Sequence, residues 1–254
     1  MLKLILFILF VFITILILPG TFRHRCLELF TNNEYKIYCI NMDRSKDRWD
    51  TIINYSNKYN IKINRFSAYN GRNLDNNSLI KRGVLYPTNR LEKGQVGCAY
   101  SHLKLWERCI KQPEKYFVIL EDDIIIPPNF SKQISYILSV LPDKWDIVYI
   151  GGCYIRGKRS KDFIIPNVYS GKYNLCTHGY IINKKSIPKL ISKIKPIRYP
   201  IDNQLRNNFI NLDAFFYHKN IVKQNSEFES TIAEQHRIDR QRKWKENHTE
   251  IIIE

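Results

Sequence analysis

The sequence predicts an α/β fold: a mostly parallel, Rossmann-type sheet flanked by helices, in a single domain behind an apolar N-terminal anchor. Three observations predict it. Apolar runs of strand length alternate along the chain with longer stretches of helical periodicity. The 254 residues are 44% apolar and 13% aromatic, enough to fill a sizeable core. After the apolar start, neither an internal repeat nor a long linker interrupts the pattern.

The first segment, Leu4 to Leu18 (LILFILFVFITILIL), is free of charge and has Thr14 as its polar residue. A spanning helix takes roughly 17–25 residues, and a signal-peptide core is shorter, so length leaves both readings open. The following Pro19-Gly-Thr-Phe-Arg-His-Arg25 carries no small-residue cleavage pattern, which favours an uncleaved single-pass signal anchor over residues 1–20 and a short stem over 21–34. Lys3 on one flank and Arg23 and Arg25 on the other nearly balance, so charge does not orient the anchor. A lumenal placement of the folded domain, in the ER or Golgi of a eukaryote or of a host cell, is the expectation.

The next elements follow in order. Tyr35 to Ile40 (YKIYCI) reads as a first strand, and Asp43 or Ser45 is placed to cap a helix through Trp49, Ile52, Ile53 and Tyr59. Ile61 to Ala68 (IKINRFSA) alternates as a second strand, closed by the turn pair Asn70-Gly71. From Gly94, apolar residues at Val96, Ala99, Leu103, Leu105 and Trp106 mark a helix that packs on a sheet, ended by Pro113. Tyr116 to Leu120 is a short apolar run suited to a central strand buried on both faces. A helix through Ile134, Ile137, Leu138 and Leu141 precedes a strand at Asp146 to Ile150, expected to stop at Gly151-Gly152. Gly179 to Ile182 reads as a strand and Lys184 to Lys193 as a helix with Pro188 near its start. The folded domain is expected over 35–232, with a basic tail over 233–254.

Charge and cysteine usage narrow the chemistry. Lys and Arg number 40 against 24 Asp and Glu, a formal charge of +16, so phosphates, nucleic acid or an anionic membrane are the partners to weigh. Nucleic acid is not expected, because no zinc-finger or RNP-like pattern is present. The six cysteines form no C-x-x-C pair, which argues against a structural zinc. Cys39 and Cys98 sit in apolar runs and read as core residues. Sequons begin at Asn54, Asn76, Asn129 and Asn247.

The most unusual stretch is FVILEDDIII, Phe117 to Ile126, where three carboxylates follow an apolar run directly. In open α/β sheets, ligands bind outside the carboxyl ends of the strands. Adjacent carboxylates at the rim of a low-dielectric core repel one another unless a cation or hydrogen-bond donors offset them. An all-oxygen set suits Mg²⁺ or Mn²⁺. Position alone leaves open whether Asp122 or Asp123 instead caps a turn before Pro127.

Several motifs in series resemble glycosyltransferase family 25, the family of bacterial lipooligosaccharide galactosyltransferases and procollagen galactosyltransferases. They are INMDRSKDRW at Ile40 to Trp49, RFSAYNG at Arg65 to Gly71, GQVGCAYSHLKLWE at Gly94 to Glu107, and LEDD at Leu120 to Asp123. WDIVYIGG at Trp145 to Gly152, THGYIINKKSIPKLI at Thr177 to Ile191 and PIDNQL at Pro200 to Leu205 complete the set. The resemblance implies a GT-A-like fold and transfer of a hexose, commonly galactose or glucose, from a UDP-sugar to a hydroxyl on a glycan or protein, with inversion. A collagen-like acceptor is among those it implies.

It also implies roles. Glu121, Asp122 and Asp123 would hold Mn²⁺ or Mg²⁺, with Asp123 and then Glu121 nearest the ion. Asn41, Arg44, Arg48, Ala68, Gly71, Ser101 and His102 would serve the nucleotide-sugar, and Asp202 would be the base that takes the acceptor proton. Without the resemblance, Arg44 and Arg48 read as exposed helix charge, Asp202 as a helix cap, and His102 as a structural histidine. Gln95, Asn70 and His178 stand where the family pattern leads us to expect Glu, Asp and Tyr. A catalytically silent relative that binds nucleotide-sugar or carbohydrate is therefore the alternative.

Overall fold

The computed structural model describes residues 34–158, 168–217 and 220–228. The expected anchor, nearly all of the stem and the basic tail lie outside the described residues, and among the described residues no helix is long and apolar enough to cross a membrane.

The first apolar run folds as β1 (Tyr35–Asn41), with its last five residues buried. Helix α1 (Lys46–Tyr59) follows and buries Ile52 together with Arg48. It starts at Ser45, whose side chain makes no capping bond. The other expected cap, Asp43, instead accepts from Ser67 Oγ and Arg65 Nη2, each at 2.7 Å. The helix ends on Asn60 in the left-handed region, φ 52°, a conformation asparagine tolerates better than most residues. Strand β2 (Ile63–Ser67) then pairs parallel with β1, which completes the expected β-α-β unit.

The Asn70-Gly71 pair opens a 3₁₀ turn over Gly71–Asn73, capped by Asn70 Oδ1 on the Arg72 amide at 3.1 Å. A short helix, α2 (Asn76–Lys81), comes next, with Asp75 capping the Asn77 amide at 2.9 Å. Helix α3 (Lys93–Ile110) buries Val96, Ala99, Leu103, Leu105 and Trp106 completely, as its periodicity predicts.

Strand β3 (Tyr116–Glu121) is central, and Phe117 to Leu120 have no exposed surface. Its alternate side chains divide between two cores, as the two-residue period of a strand requires. Phe117 and Ile119 join the core under α3, while Val118 and Leu120 join the core under α1. Strand β4 (Ile124–Ile125) is a two-residue piece beyond the carboxylates, and α4 (Phe130–Val140) adds Ile134 and Ile137 to the second core.

Strand β5 (Ile147–Lys158) runs through Gly151-Gly152 instead of stopping there. The glycines are needed for packing and do not end the strand. A Cβ on Gly151 would lie 2.6 Å from the His178 ring, and one on Gly152 would lie 2.2 Å from Asn174 Oδ1. Its partner β6 (Val168–Asn183) is likewise far longer than the predicted core at Gly179 to Ile182. After a 3₁₀ turn over Lys184–Ser186 come α5 (Ile187–Ile194), with Pro188 in its first turn, and α6 (Ile201–Arg206). Strands β7 (Ala214–Tyr217) and β8 (Lys223–Gln224) close the described chain.

The six-stranded sheet has the order β2-β1-β3-β6-β5-β7. β1 is parallel to β2 and β3, β6 is antiparallel to β3 and β5, and β5 is parallel to β7. Only β6 therefore runs against the rest, so the sheet is mostly parallel and flanked by helices, as expected. Helices α3, α5 and α6 contribute Trp106, Leu190 and Leu205 to one core, and α1 and α4 contribute Ile52 and Ile137 to the other. Covering both faces in this way is what a parallel sheet requires.

Candidate functional site

Register brings the site together. Ile40 lies opposite Glu121, and Asn41 lies opposite Ser67, so the carboxyl ends of β1, β2 and β3 reach one edge. A cleft opens there. Of the residues expected at a donor site, Arg44, Arg48, Ala68, Gly71, Ser101 and His102 line it, and so do Glu121, Asp122 and Asp123. Asn41 and Asp202 do not.

One wall depends on two glycines. A Cβ on Gly71 would fall 1.6 Å from the Lys93 carbonyl oxygen, and one on Gly97 would fall 2.6 Å from the Gly71 nitrogen. Backbone thus meets backbone, and no other residue permits so close an approach. Ser101 pins the same junction. Its hydroxyl donates to the Gly97 carbonyl at 2.6 Å and accepts from the Tyr69 amide at 2.8 Å. Ala68 hydrogen-bonds back to β1 through its amide on the Asn41 carbonyl, 2.9 Å away.

The three carboxylates are held quite differently. Asp122 accepts from Asn41 Nδ2 at 2.7 Å on one oxygen and from Arg48 Nη1 at 3.0 Å on the other. Its usual acidity is weakened by burial, which the Asn41 and Arg48 contacts offset only in part. Arg48 is itself buried, and its guanidinium lies 5.1 Å from the Phe228 ring centre. It is therefore no exposed helix charge, and Asp122 is no turn cap. Asn41 is fully committed to this network, since its Oδ1 accepts from Arg65 Nε at 2.8 Å and its Nδ2 also donates to the Ser45 carbonyl.

Glu121 is the last residue of β3, and its Oε1 accepts from Thr177 Oγ1 at 2.7 Å and meets His102 Nε2 at 3.3 Å. Burial acts to raise its pKa, but the contacts with His102 and Thr177 outweigh that and hold the carboxyl below its ordinary range.

Asp123 is different again. Its Oδ2 accepts from Gln224 Nε2 at 2.8 Å, but its buried Oδ1 has no partner. Burial, reinforced by the charges of Glu121 and Asp122, pushes it up to about 6. A buried, unpartnered carboxylate oxygen beside a second carboxylate suits a hard divalent cation, which takes oxygen ligands and removes the repulsion. Asp123 and Glu121 would hold such an ion, while both oxygens of Asp122 are already engaged.

Several contributors escaped the sequence reading. Arg72, Cys98 and Gln224 line the cleft. Gln224 comes from β8, which pairs antiparallel with β4, and the Asn225 amide donates to the Asp123 carbonyl at 2.7 Å. No local pattern could have tied Gln224 to a carboxylate 101 positions earlier. Arg72 had a signal in the RFSAYNGR stretch, where a cation follows a tight turn after a strand end. Cys98 is half-buried and does not belong to the core proper, and burial pushes its thiol well up, so it is no activated nucleophile. Cys39 is fully buried, as expected.

Asp202 lies within the first turn of α6, two residues past the capping position, which Pro200 occupies. Its Oδ2 accepts from the Cys176 amide at 3.1 Å and its Oδ1 from the Asn203 amide at 2.7 Å. Cys176 is disulfide-bonded and has φ 70°, so this carboxylate anchors a strained point of β6.

The three departures from the family pattern also have places. Gln95 Oε1 accepts from the Glu92 amide at 3.1 Å, closing a capping box at the start of α3 that Gln serves as well as Glu. Asn70 caps the Arg72 amide. His178 is buried at the glycine-lined contact with β5, and burial lowers its pKa.

Residues 34–205 match the family model described as glycosyltransferase family 25 (LPS biosynthesis protein). The chain belongs to glycosyltransferase family 25. A family 25 member from Aedes aegypti is 26% identical over 188 residues, covering 69% of this chain and 31% of that protein. Procollagen galactosyltransferase 2 from Homo sapiens is 24% identical over 169 residues, covering 61% of this chain and 27% of that protein. The chain thus spans under a third of the length of these relatives. Among solved structures, a glycosyltransferase involved in glycosylation of the major capsid of PBCV-1 aligns at TM-score 0.40 and 10% identity, covering 69% of this chain and 76% of that one.

Proposed function

We propose that this family 25 chain transfers a hexose, galactose or glucose, from a UDP-sugar to a hydroxyl of a glycan or protein, with inversion and with Mn²⁺ or Mg²⁺ assisting. The observation that carries this reading is the unpartnered, buried Oδ1 of Asp123 beside Glu121, in a cleft that Arg44 and Arg72 also line. Anionic and cationic groups face one space, as recognition of a cation with a diphosphate requires.

When bound, the cation would neutralise charge developing on the departing diphosphate. The chain's own residues do the rest. Arg44 and Arg72 offer guanidinium forks to phosphate oxygens. Arg48, buried against Asp122, keeps the carboxylate row aligned instead of reaching for the donor. Asp202 is assigned the base that accepts the acceptor's proton. That assignment rests on its place in PIDNQL, and its present contacts are with the Cys176 and Asn203 amides. The membrane anchor and a lumenal catalytic domain belong to the same proposal.

A silent, sugar-binding relative is the competing reading. It drew on the substituted positions, but Gln95 and Asn70 carry out capping roles that leave the cleft intact. The deciding experiment is donor hydrolysis and transfer across UDP-galactose, UDP-glucose and UDP-N-acetylglucosamine with Mn²⁺. We expect chelator-sensitive turnover of at least one donor. Binding of UDP without turnover of any donor favours the silent relative instead.

A further inference from the structure

Behind Glu121 lies a buried polar chain with no counterpart among the roles assigned above. Trp106 Nε1 lies 2.9 Å from Tyr180 Oη, Tyr180 Oη lies 2.7 Å from His102 Nδ1, and His102 Nε2 lies 3.3 Å from Glu121 Oε1. Trp106, Tyr180 and His102 are at most 1% exposed.

Donor and acceptor chemistry directs this chain. Indole N–H only donates, so Tyr180 oxygen accepts from Trp106. The Tyr180 proton then has His102 Nδ1 as its partner, which makes Nδ1 the acceptor and places the neutral imidazole's own proton on Nε2, facing Glu121. Thr177 Oγ1 donates to the same Glu121 oxygen.

We infer that Tyr180 and His102 are positioning residues: they fix one imidazole tautomer so that Glu121 Oε1 is held by donors and its other oxygen is kept for the cation. The inference rests on the cation reading above. It also assigns His102 to the carboxylate instead of the nucleotide-sugar.

A rival arrangement exists in the same place. Ligand atoms of Cys98, His102 and Glu121 lie within 4.8 Å of one another, a possible three-ligand set for a thiophilic metal. It would need His102 Nε2 stripped of its proton and the hydrogen-bond chain reversed. Tyr180 would then accept from both Trp106 and His102, leaving the buried hydroxyl proton without its present acceptor.

The test uses the full-length chain. Long-range ¹H–¹⁵N spectra of histidine-labelled, metal-free protein, with the His102→Gln spectrum for assignment, should show the neutral ring protonated on Nε2. Mn²⁺ affinity, read by electron paramagnetic resonance, should fall roughly ten- to a hundredfold in Tyr180→Phe, in line with other residues that orient metal ligands. Because Tyr180→Phe also strips Trp106 of its buried acceptor and so endangers folding, the second arm compares His102→Gln with His102→Asn. Gln keeps a donor at the reach of Nε2 and should retain Mn²⁺ within a few-fold, whereas Asn, which is too short, should lose it with an unchanged melting temperature.

A ring protonated on Nδ1, or equal Mn²⁺ affinity in the Gln and Asn variants, overturns the inference. So does a thiolate-to-metal absorption band on adding Co²⁺ that disappears in Cys98→Ser, which would assign the site to the rival. Mn²⁺ binding that follows the expected order with no donor turnover would leave the inference standing and sink the transferase reading.

Discussion

At the scale of single residues, the row Glu121-Asp122-Asp123 separates into three jobs, and the separation is testable. Asp122 neutralises a buried arginine. Asp122→Asn turns an amide N–H toward Asn41 Nδ2 or Arg48 Nη1, donor against donor, and should lower stability by about 1–3 kcal/mol in a denaturant melt. Asp123→Asn should do the opposite in metal-free protein. The folded state raises its pKa to about 6, so it favours the protonated form. Its contribution is complete below the unfolded value, near 4, and is lost as pH rises through about 6. The variant should therefore be more stable than the parent at pH 7.5, by an amount on the order of 2–3 kcal/mol, and this gain should vanish toward pH 4. For Asp202→Asn, we expect transfer to collapse with UDP-sugar binding kept; turnover near the parent's would remove it as the base. Of these roles, the sequence made the acidic row legible because charge directly after an apolar strand is conspicuous. It could not divide the row, because the partners Asn41, Arg48, Thr177 and Gln224 come from distant segments.

At the scale of elements, periodicity revealed most of the helices and the strand cores, because an apolar stripe every three to four residues, or an unbroken apolar run, reflects burial directly. It failed where the reason for a residue lay in another element. Gly151-Gly152 reads locally as a stop, yet β5 continues through it because His178, Asn174 and Val222 occupy the space above the glycines. Gly71 and Gly97 make the sharper case, since each leaves room for the other's backbone. Gly97→Ala must push α3 off the 3₁₀ turn at Gly71, and should cost roughly 1–3 kcal/mol or more in stability and distort the cleft. Differential scanning calorimetry would measure the first, and UDP binding the second. Gln95→Glu, by contrast, should change stability by less than about 0.5 kcal/mol, because either side chain closes the capping box.

At the scale of the whole molecule, the cleft gathers the ends of β1, β2 and β3, the start of α3 and the late strand β8, so a bound cation should stabilise the entire fold. Mn²⁺ at a hundredfold excess over its dissociation constant should add about 2.7 kcal/mol. A thermal melt should show the gain, and Asp123→Asn should abolish it. The sequence by itself determined the α/β class, most of the elements as far as α5, the family and the position of the acidic row. These follow from local apolar patterning and from motifs that are contiguous in the chain. Only the tertiary structure decided which carboxylate keeps an unpartnered oxygen, that Arg48 is buried, that Asn41 and Asp202 are bound up in supporting contacts, and that His102 turns toward Glu121. Those outcomes depend on which donors reach each oxygen across the fold, and pairings such as Asp122 with Asn41, 81 positions apart, leave no mark on local sequence.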